Sequence, residues 1–329
     1  MFKRHWKKFI AVIALLLVAG GAVMAYGLYA QADTAVESST VGGTLVDLLS
    51  PEALSGEDTG AVTILVAGNS ADDAGHGGAE LTDSIMVAHF AIATNKLTLV
   101  SVPRDMWVEY GGSYMKLNAV YTVGGMDGLQ STIEGMLGIT INHRVLINYT
   151  AFKEMIDAVG GIDITIESDD PRGIYDPMIG FSIGNGDQHL DGTQALLLAR
   201  SRNDPTYDGR IAYGLPNGDF DRTLYQRKIA ASLLESVASS ATLTNTTKLK
   251  ALLESVSGNV QSNFTVGQLR RLYDLSKGVT ATASISIRGD EDNLLLANYT
   301  SYDGQSALIP SAGAGDYSAI QAYIASKLL

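Results

Sequence analysis

The chain has 329 residues, of which 46% are hydrophobic and 18% charged, enough for one large core or two modest ones. It contains no cysteine, which excludes disulfides, thiolate metal sites and thiol nucleophiles. Its formal net charge of −12 leaves little basic surface for general nucleic-acid binding, so any arginine cluster must be a local feature.

The first predicted element is a membrane span. Lys3, Arg4, Lys7 and Lys8 precede an uncharged apolar run, Phe9 to Ala30, whose 22 residues suffice to cross a bilayer as a helix. A cleaved secretory signal has a shorter apolar region, about 7–15 residues. Positive charge before the span and none just after it puts the N-terminus in the cytoplasm. The expectation is a cytoplasmic tail over 1–8, a single-pass transmembrane signal anchor over 9–30 and an extracytoplasmic body at the cell membrane. That body carries 19 basic against 35 acidic residues, a net charge of −16. Residues 31–60, polar and rich in Gly, Ser and Thr, read as a stalk.

Ordered patterning starts at Ala61–Gly68, a short apolar run that predicts a buried strand. Asp83–Ile92 and Lys96–Pro103 are β-rich runs joined by a turn, which predicts a hairpin. Helices and strands then alternate: a helix over Met126–Gly138, a strand over His143–Tyr149, a helix from a Thr150 cap to a Gly161 stop, and a strand over Gly161–Ser168. Residues 169–190 read as an extended loop or irregular hairpin. A helix over Asp191–Arg202, a loop over 203–217 and a long helix from Asp219 follow. The C-terminal part predicts helices near 245–257 and 265–276, strands near 280–288 and 305–309, and a last helix near 316–328. The alternation predicts one α/β domain over 61–329, with three layers, α-β-α, around a central mixed sheet.

Several familiar signatures fail. Gly180–Gly184 matches a nucleophile elbow around Ser182, but a turn sequence follows where that motif needs a helix. No phosphate loop occurs. His5, His76, His89, His143 and His189 show no metal-ligand spacing.

Charged residues at the ends of apolar elements remain. Arg104 and Asp105 directly follow a strand, where an α/β sheet offers its ligand crevice. Asp83 begins the partner strand, so a hairpin makes it a neighbour of Arg104; a plain salt bridge explains that pair equally well. Asp219, Arg222 and Gln226 lie on one side of their helix, with Phe220 and Leu224 on another side, available for packing. Arg200 and Arg202 end an apolar helix. Either they answer the partial negative charge of its C-terminus, or they are half of an anion site.

Taken in order, seven blocks resemble the LytR–CpsA–Psr family of bacterial wall-assembly proteins: "ILVAG", "TDSIMVAHF", "LTLVSVPRDMWV", "KLNAVYTVGG", "FKEMIDAVGGIDITI", "LDGTQALLLARSR" and "GDFDRTLYQRK". The resemblance implies transfer of a glycopolymer, such as teichoic acid or capsule, from a polyprenyl-pyrophosphate carrier to peptidoglycan through a phosphodiester bond. It also implies an arginine cluster with a magnesium ion, beside an apolar pocket for the lipid. Matched block by block, Arg104, Arg200, Arg202 and Arg222 would hold the pyrophosphate, with Lys116, Asn118 and Gln226 contributing to substrate binding. Asp83 would be a magnesium ligand, and Asp105 or Asp219 would accept the proton of the attacking sugar hydroxyl.

Two positions depart from the family pattern. Ser70 stands where an aspartate is usual, with Asp72 or Asp73 as a stand-in ligand, and Leu81 stands where an arginine is usual. These departures favour the alternative of a non-catalytic polyprenyl-phosphate-binding scaffold or regulator. A polyprenyl-pyrophosphate phosphatase is a third reading, using the same clamp with water as nucleophile. The expected partners are the lipid-linked glycan, peptidoglycan and the membrane, with no nucleic acid. The lipid pocket is expected among helix residues such as Ile133, Met136, Leu137, Met155 and Ile156, which plain core packing also explains.

Overall fold

Two-residue periodicity makes the central sheet two-faced. In β1 (Ala61–Asn69), Val62 and Ile64 are buried on one face, Leu65 and Ala67 on the other. β2 (Thr82–Ala91) and β3 (Lys96–Ser101) divide likewise. Ala88, Phe90, Leu97 and Leu99 join the first face, and Ile85, Val87 and Val100 the second. Strands buried on both sides need a helical layer over each. The computed structural model, which describes residues 51–70, 80–202, 210–237, 259–290 and 293–328, has both layers.

The sheet has six strands in the order β11 (Val260–Ser262), β6 (His143–Ile147), β1, β2, β3, β12 (Ala281–Ser286). The β1–β6 and β3–β12 pairs are parallel and the rest antiparallel, so the sheet is mixed. Over the first face lie α2 (Tyr149–Val159), α3 (Gly192–Arg200), α4 (Asp219–Val237) and α5 (Val266–Lys277), through Met155, Leu198, Ile229 and Leu272. Over the second lie α1 (Leu117–Leu137) and α6 (Ser318–Leu328), through Ile133, Met136, Ile320 and Ile324.

Local chemistry moves several predicted boundaries. α1 begins at Leu117, and the predicted helix from Met126 is only its second half. Gly125, at φ 60° and ψ −161°, breaks the helical path between the two halves. α2 is capped by Asn148, whose side chain accepts from the Ala151 amide, so Thr150 lies inside the helix. The 169–190 segment resolves into a hairpin of β8 (Ile174–Asp176) and β9 (Phe181–Ile183), followed by β10 (Gly186–Leu190) paired with β7 (Ile162–Ile166). Ser182 therefore sits in a short strand rather than at an elbow.

The end of the predicted stalk is part of the domain. Leu54 is buried in the first core layer, and Glu57 accepts a two-nitrogen fork from Arg271 of α5. The tail, the anchor and residues 31–50 lie outside the described residues, as do Asp72, Asp73 and the predicted helix near 245–257. Among the described residues, no helix is long and apolar enough to cross a membrane.

Candidate functional site

The start of β2 and the end of β3 are adjacent because the two strands run antiparallel, with Met86 opposite Ser101. Asp83 and Arg104 extend those two ends, and the Arg104 Nη1 donates to Asp83 Oδ1. Arg104 Nε lies 3.6 Å from Asp105 Oδ2 and 3.9 Å from Asp219 Oδ1. Asp105 in turn accepts from Lys116 Nζ at 2.9 Å, at the end of β5 (Ser113–Lys116). The Asn118 backbone frames the cluster: its amide donates to the Arg104 carbonyl at 3.0 Å, and its carbonyl accepts from Thr82 Oγ1 at 3.3 Å.

The first turns of α4 bring the next group. Asp219 and Arg222, one turn apart, form an ion pair at 2.6 Å. Arg222 Nη2 also donates to the Asp83 carbonyl at 3.2 Å. Gln226, a turn further, accepts from Ser84 Oγ at 3.1 Å and donates to the Ala199 carbonyl at 3.0 Å. Its amide thus ties α4 to β2 and to the end of α3.

α3 starts on a capping box between Asp191 and Gln194 and ends at Arg200. Beyond it, the Arg202 amide donates at 2.7 Å to Asp176, a buried carboxylate. The Arg200 guanidinium lies 5.1 Å from the centre of the Tyr149 ring. The Tyr149 hydroxyl hydrogen-bonds with Ser70, the residue that follows β1.

The electrostatics of these groups are unbalanced. Burial works against the Arg104 charge, but Asp83, Asp105 and Asp219 outweigh it and raise its pKa. Arg222 is different. With 5% exposure, burial pushes its pKa down to about 10; Asp219 opposes the shift, while Arg104 and Arg202 reinforce it. It still carries its charge at neutral pH. Burial also raises the Tyr149 pKa, with Asp83 adding to the effect while Arg200, Ser70 and Arg222 oppose it. The buried Nε atoms of Arg104 and Arg222 have no hydrogen-bond acceptor in the structure. Guanidinium donors left short of acceptors, beside further arginines, form a site that oxygens of a phosphate-type anion would satisfy.

The structure thus joins Asp83, Arg104, Asp105, Lys116, Asp219 and Arg222 through ion pairs, with Arg202 acting electrostatically on Arg222 and Arg200 on Tyr149. Gln226 and the Asn118 backbone frame the site. Asp72, the second expected metal ligand, lies outside the described residues. Leu224 is 39% exposed and lies outside the two buried core layers, whereas Phe220 lies under the Arg288 guanidinium at 4.2 Å. The five residues expected at a lipid pocket are divided. Ile133, Met136 and Leu137 are in one core layer, and Met155 and Ile156 are in the other, across the sheet, so they cannot line one pocket. Two contributors went unnoticed in the sequence. Tyr149 opens α2 just beyond the end of β6 and its Asn148 cap, and Asp176 sits in an Asp-Pro turn that showed only as loop chemistry.

The described residues offer few oxygen donors to a metal ion. Asp83 supplies one carboxylate, and Tyr149, which feels that charge, hydrogen-bonds with Ser70. Among the described residues, no group of three or more acidic or histidine side chains could hold a metal by itself. A magnesium ion here would take most of its ligands from phosphate oxygens and water.

The LytR_cpsA_psr family model matches residues 26–311. The polyisoprenyl-teichoic acid–peptidoglycan teichoic acid transferase TagU of Bacillus cereus is 29% identical over 292 residues, 84% of each chain. The probable cell wall biosynthesis protein LcpB of Corynebacterium glutamicum is 33% identical over 237 residues, 71% of this chain and 51% of that one. A crystal structure of a Streptococcus agalactiae protein superposes with a TM-score of 0.63 at 26% identity, covering 83% of this chain and 89% of the other. The chain belongs to the LytR–CpsA–Psr family.

Proposed function

We propose that this family member transfers a glycopolymer from a polyprenyl-pyrophosphate carrier to peptidoglycan in cell-wall assembly, through a phosphodiester bond. The observation that carries the reading is Arg222. It is a cation buried against its own charge, with an unused Nε, in a group with Arg104 and Arg202. The relatives' names agree with wall-polymer transfer.

In this reading the arginines hold the two phosphates. A sugar hydroxyl of peptidoglycan attacks the phosphorus that carries the glycan, and the bond from that phosphorus to the bridging oxygen breaks. Polyprenyl monophosphate leaves, and the glycan stays on the acceptor through the new phosphodiester. Asp105 or Asp219, the carboxylates bordering the arginines, accepts the hydroxyl proton. The guanidiniums stabilise charge on the leaving phosphate, the main source of catalysis in phosphoryl transfer. Asp83, with the Ser70 hydroxyl and Asp72, would hold magnesium, which would neutralise phosphate charge when bound. The N-terminal span would keep the site at the membrane surface.

A second reading, a binding scaffold without catalysis, rests on one observation: a serine engaged with Tyr149, not a carboxylate, follows β1. One assay separates the readings. The protein is incubated with a polyprenyl-pyrophosphate-linked oligosaccharide, with and without peptidoglycan. Acceptor-dependent formation of a phosphodiester-linked product supports transfer. Binding without product supports the scaffold, and acceptor-independent phosphate release supports a phosphatase.

A further inference from the structure

We infer that an aromatic ridge beside the anion site, with Tyr302 as its stacking face, binds the pyranose chain of the acceptor; this rests on the transfer reaction proposed above. Register builds the ridge. In the hairpin of β4 (Trp107–Tyr110) and β5, Trp107 pairs with Lys116 and Glu109 with Tyr114, so these four residues share one face. Val108 and Met115 belong to the other face, against the core. Lys116 reaches back to Asp105, which makes the ridge continuous with the anion site.

A second hairpin, β15 (Leu296–Thr300) and β16 (Ser306–Pro310), lies alongside, its Leu308 amide donating to the Asp105 carbonyl at 2.9 Å. It sets Tyr299 and Tyr302 against Trp107, with ring centroids 6.2 Å and 6.3 Å away, the latter pair edge-on. Trp107 is covered, while Tyr302 keeps 85% of its surface exposed.

A single exposed ring is ordinary, but the turn that carries this one is held in place. At the hairpin tip, the Ser301 amide donates to the Gln305 carbonyl and the Gln305 amide to Ser301 Oγ, both at 2.9 Å. Ser301 Oγ also donates to Asp303, and Gln305 Nε2 donates to Asp303 Oδ2 at 2.6 Å. A rigid turn that presents an aromatic ring loses little further entropy on binding.

The surroundings select the ligand. A pyranose offers a face of C–H groups, electropositive against the negative π face of a ring, and a rim of hydroxyls. Asp303, Gln305 and Glu109, all exposed, supply acceptors and amide donors for such a rim. Their charge disfavours an anionic polymer, and their polarity disfavours a lipid tail. A neutral saccharide that stacks on Tyr302 and runs past Lys116 brings its hydroxyls towards Asp105, one of the two carboxylates assigned the proton.

The chain has two tryptophans, so Trp6→Phe in the full-length protein leaves Trp107 as the reporter. The detergent-solubilised protein is titrated with chitohexaose, a β-linked N-acetylglucosamine oligomer. A saturable change in Trp107 emission is expected. Tyr302→Ala should weaken it by about tenfold or more and Tyr302→Phe should keep it, since stacking needs the ring and not the hydroxyl. No saturable change, or equal binding by Tyr302→Ala, overturns the inference. The transfer reading is tested separately: if transfer proceeds without saccharide binding at Tyr302, this surface is refuted and the transfer reading stands. If Tyr302-dependent binding occurs without transfer, the reverse holds.

Discussion

Two arginine–carboxylate groups in this molecule look alike in sequence and differ in what they leave unfinished. Arg271 and Glu57 join α5 to the turn at residues 57–59 through three contacts of 2.8–3.0 Å. Each partner matches the other, and the pair pins residues 51–60 to the domain. Arg104 and Arg222 share Asp83, Asp105 and Asp219 with Lys116 and still keep two buried Nε atoms without an acceptor. A closed pair is complete as a piece of structure. A cluster whose buried guanidinium nitrogens lack acceptors, held against desolvation, is what a protein maintains for an anion that arrives later.

The sharpest way to break this contrast is Arg222→Met. Transfer activity should fall by roughly 10²–10³-fold, the scale for losing one preorganised donor to transition-state charge. Thermal stability should change little, because relief of a cation that burial, Arg104 and Arg202 disfavour offsets the lost ion pair with Asp219. A large fall in Tm with activity retained per folded molecule would make Arg222 structural.

The next test asks whether unpaired buried nitrogens alone mark function. His143 is 2% exposed, stacks on Phe264 at 4.1 Å, and has no partner at either ring nitrogen. Burial lowers its pKa to about 4, below the ordinary 6.5. The unfolded chain therefore takes up a proton first as pH falls. Stability from neutral His143 is complete above about pH 6.5 and is lost between there and about pH 4, by up to about 3 kcal/mol. His143→Phe should flatten that part of the pH–stability curve, followed by urea denaturation, and leave ligand binding unchanged. Loss of binding would show that the criterion fails to separate the two kinds of site.

Ser70→Asp should supply a second carboxylate beside Asp83 and lower the magnesium concentration for half-maximal activity, by less than about tenfold. A magnesium titration that does not move would remove Ser70 from the metal site. The smallest effect belongs to the closed pair. Arg271→Ala should cost about 1 kcal/mol or less in denaturant unfolding, because the pair is partly exposed, and should leave transfer unchanged.

What the sequence revealed follows from how local each signal is. The layered α/β fold was legible because short apolar and β-rich runs read as strands and helical patterns alternate with them along the chain. The meeting of Asp83 and Arg104 followed from hairpin geometry alone. The grouping of Arg200, Arg202 and Arg222 needed the family resemblance, since no local rule brings the end of α3 to the start of α4. The β4–β5 hairpin went unread although Gly111 and Gly112, both at positive φ, are a two-residue turn signal between Tyr110 and Ser113. The lipid-pocket residues misled because an apolar helix position does not record which face of the sheet it will cover.

The central claim is that the Arg104–Arg222 cluster is an anion clamp and the Arg271–Glu57 pair is not. Calorimetric titration of the full chain with a short polyprenyl pyrophosphate, beside Arg222→Met and Arg271→Ala, tests it most directly. The account predicts saturable binding that Arg222→Met abolishes and Arg271→Ala retains. Equal binding by all three proteins would contradict it.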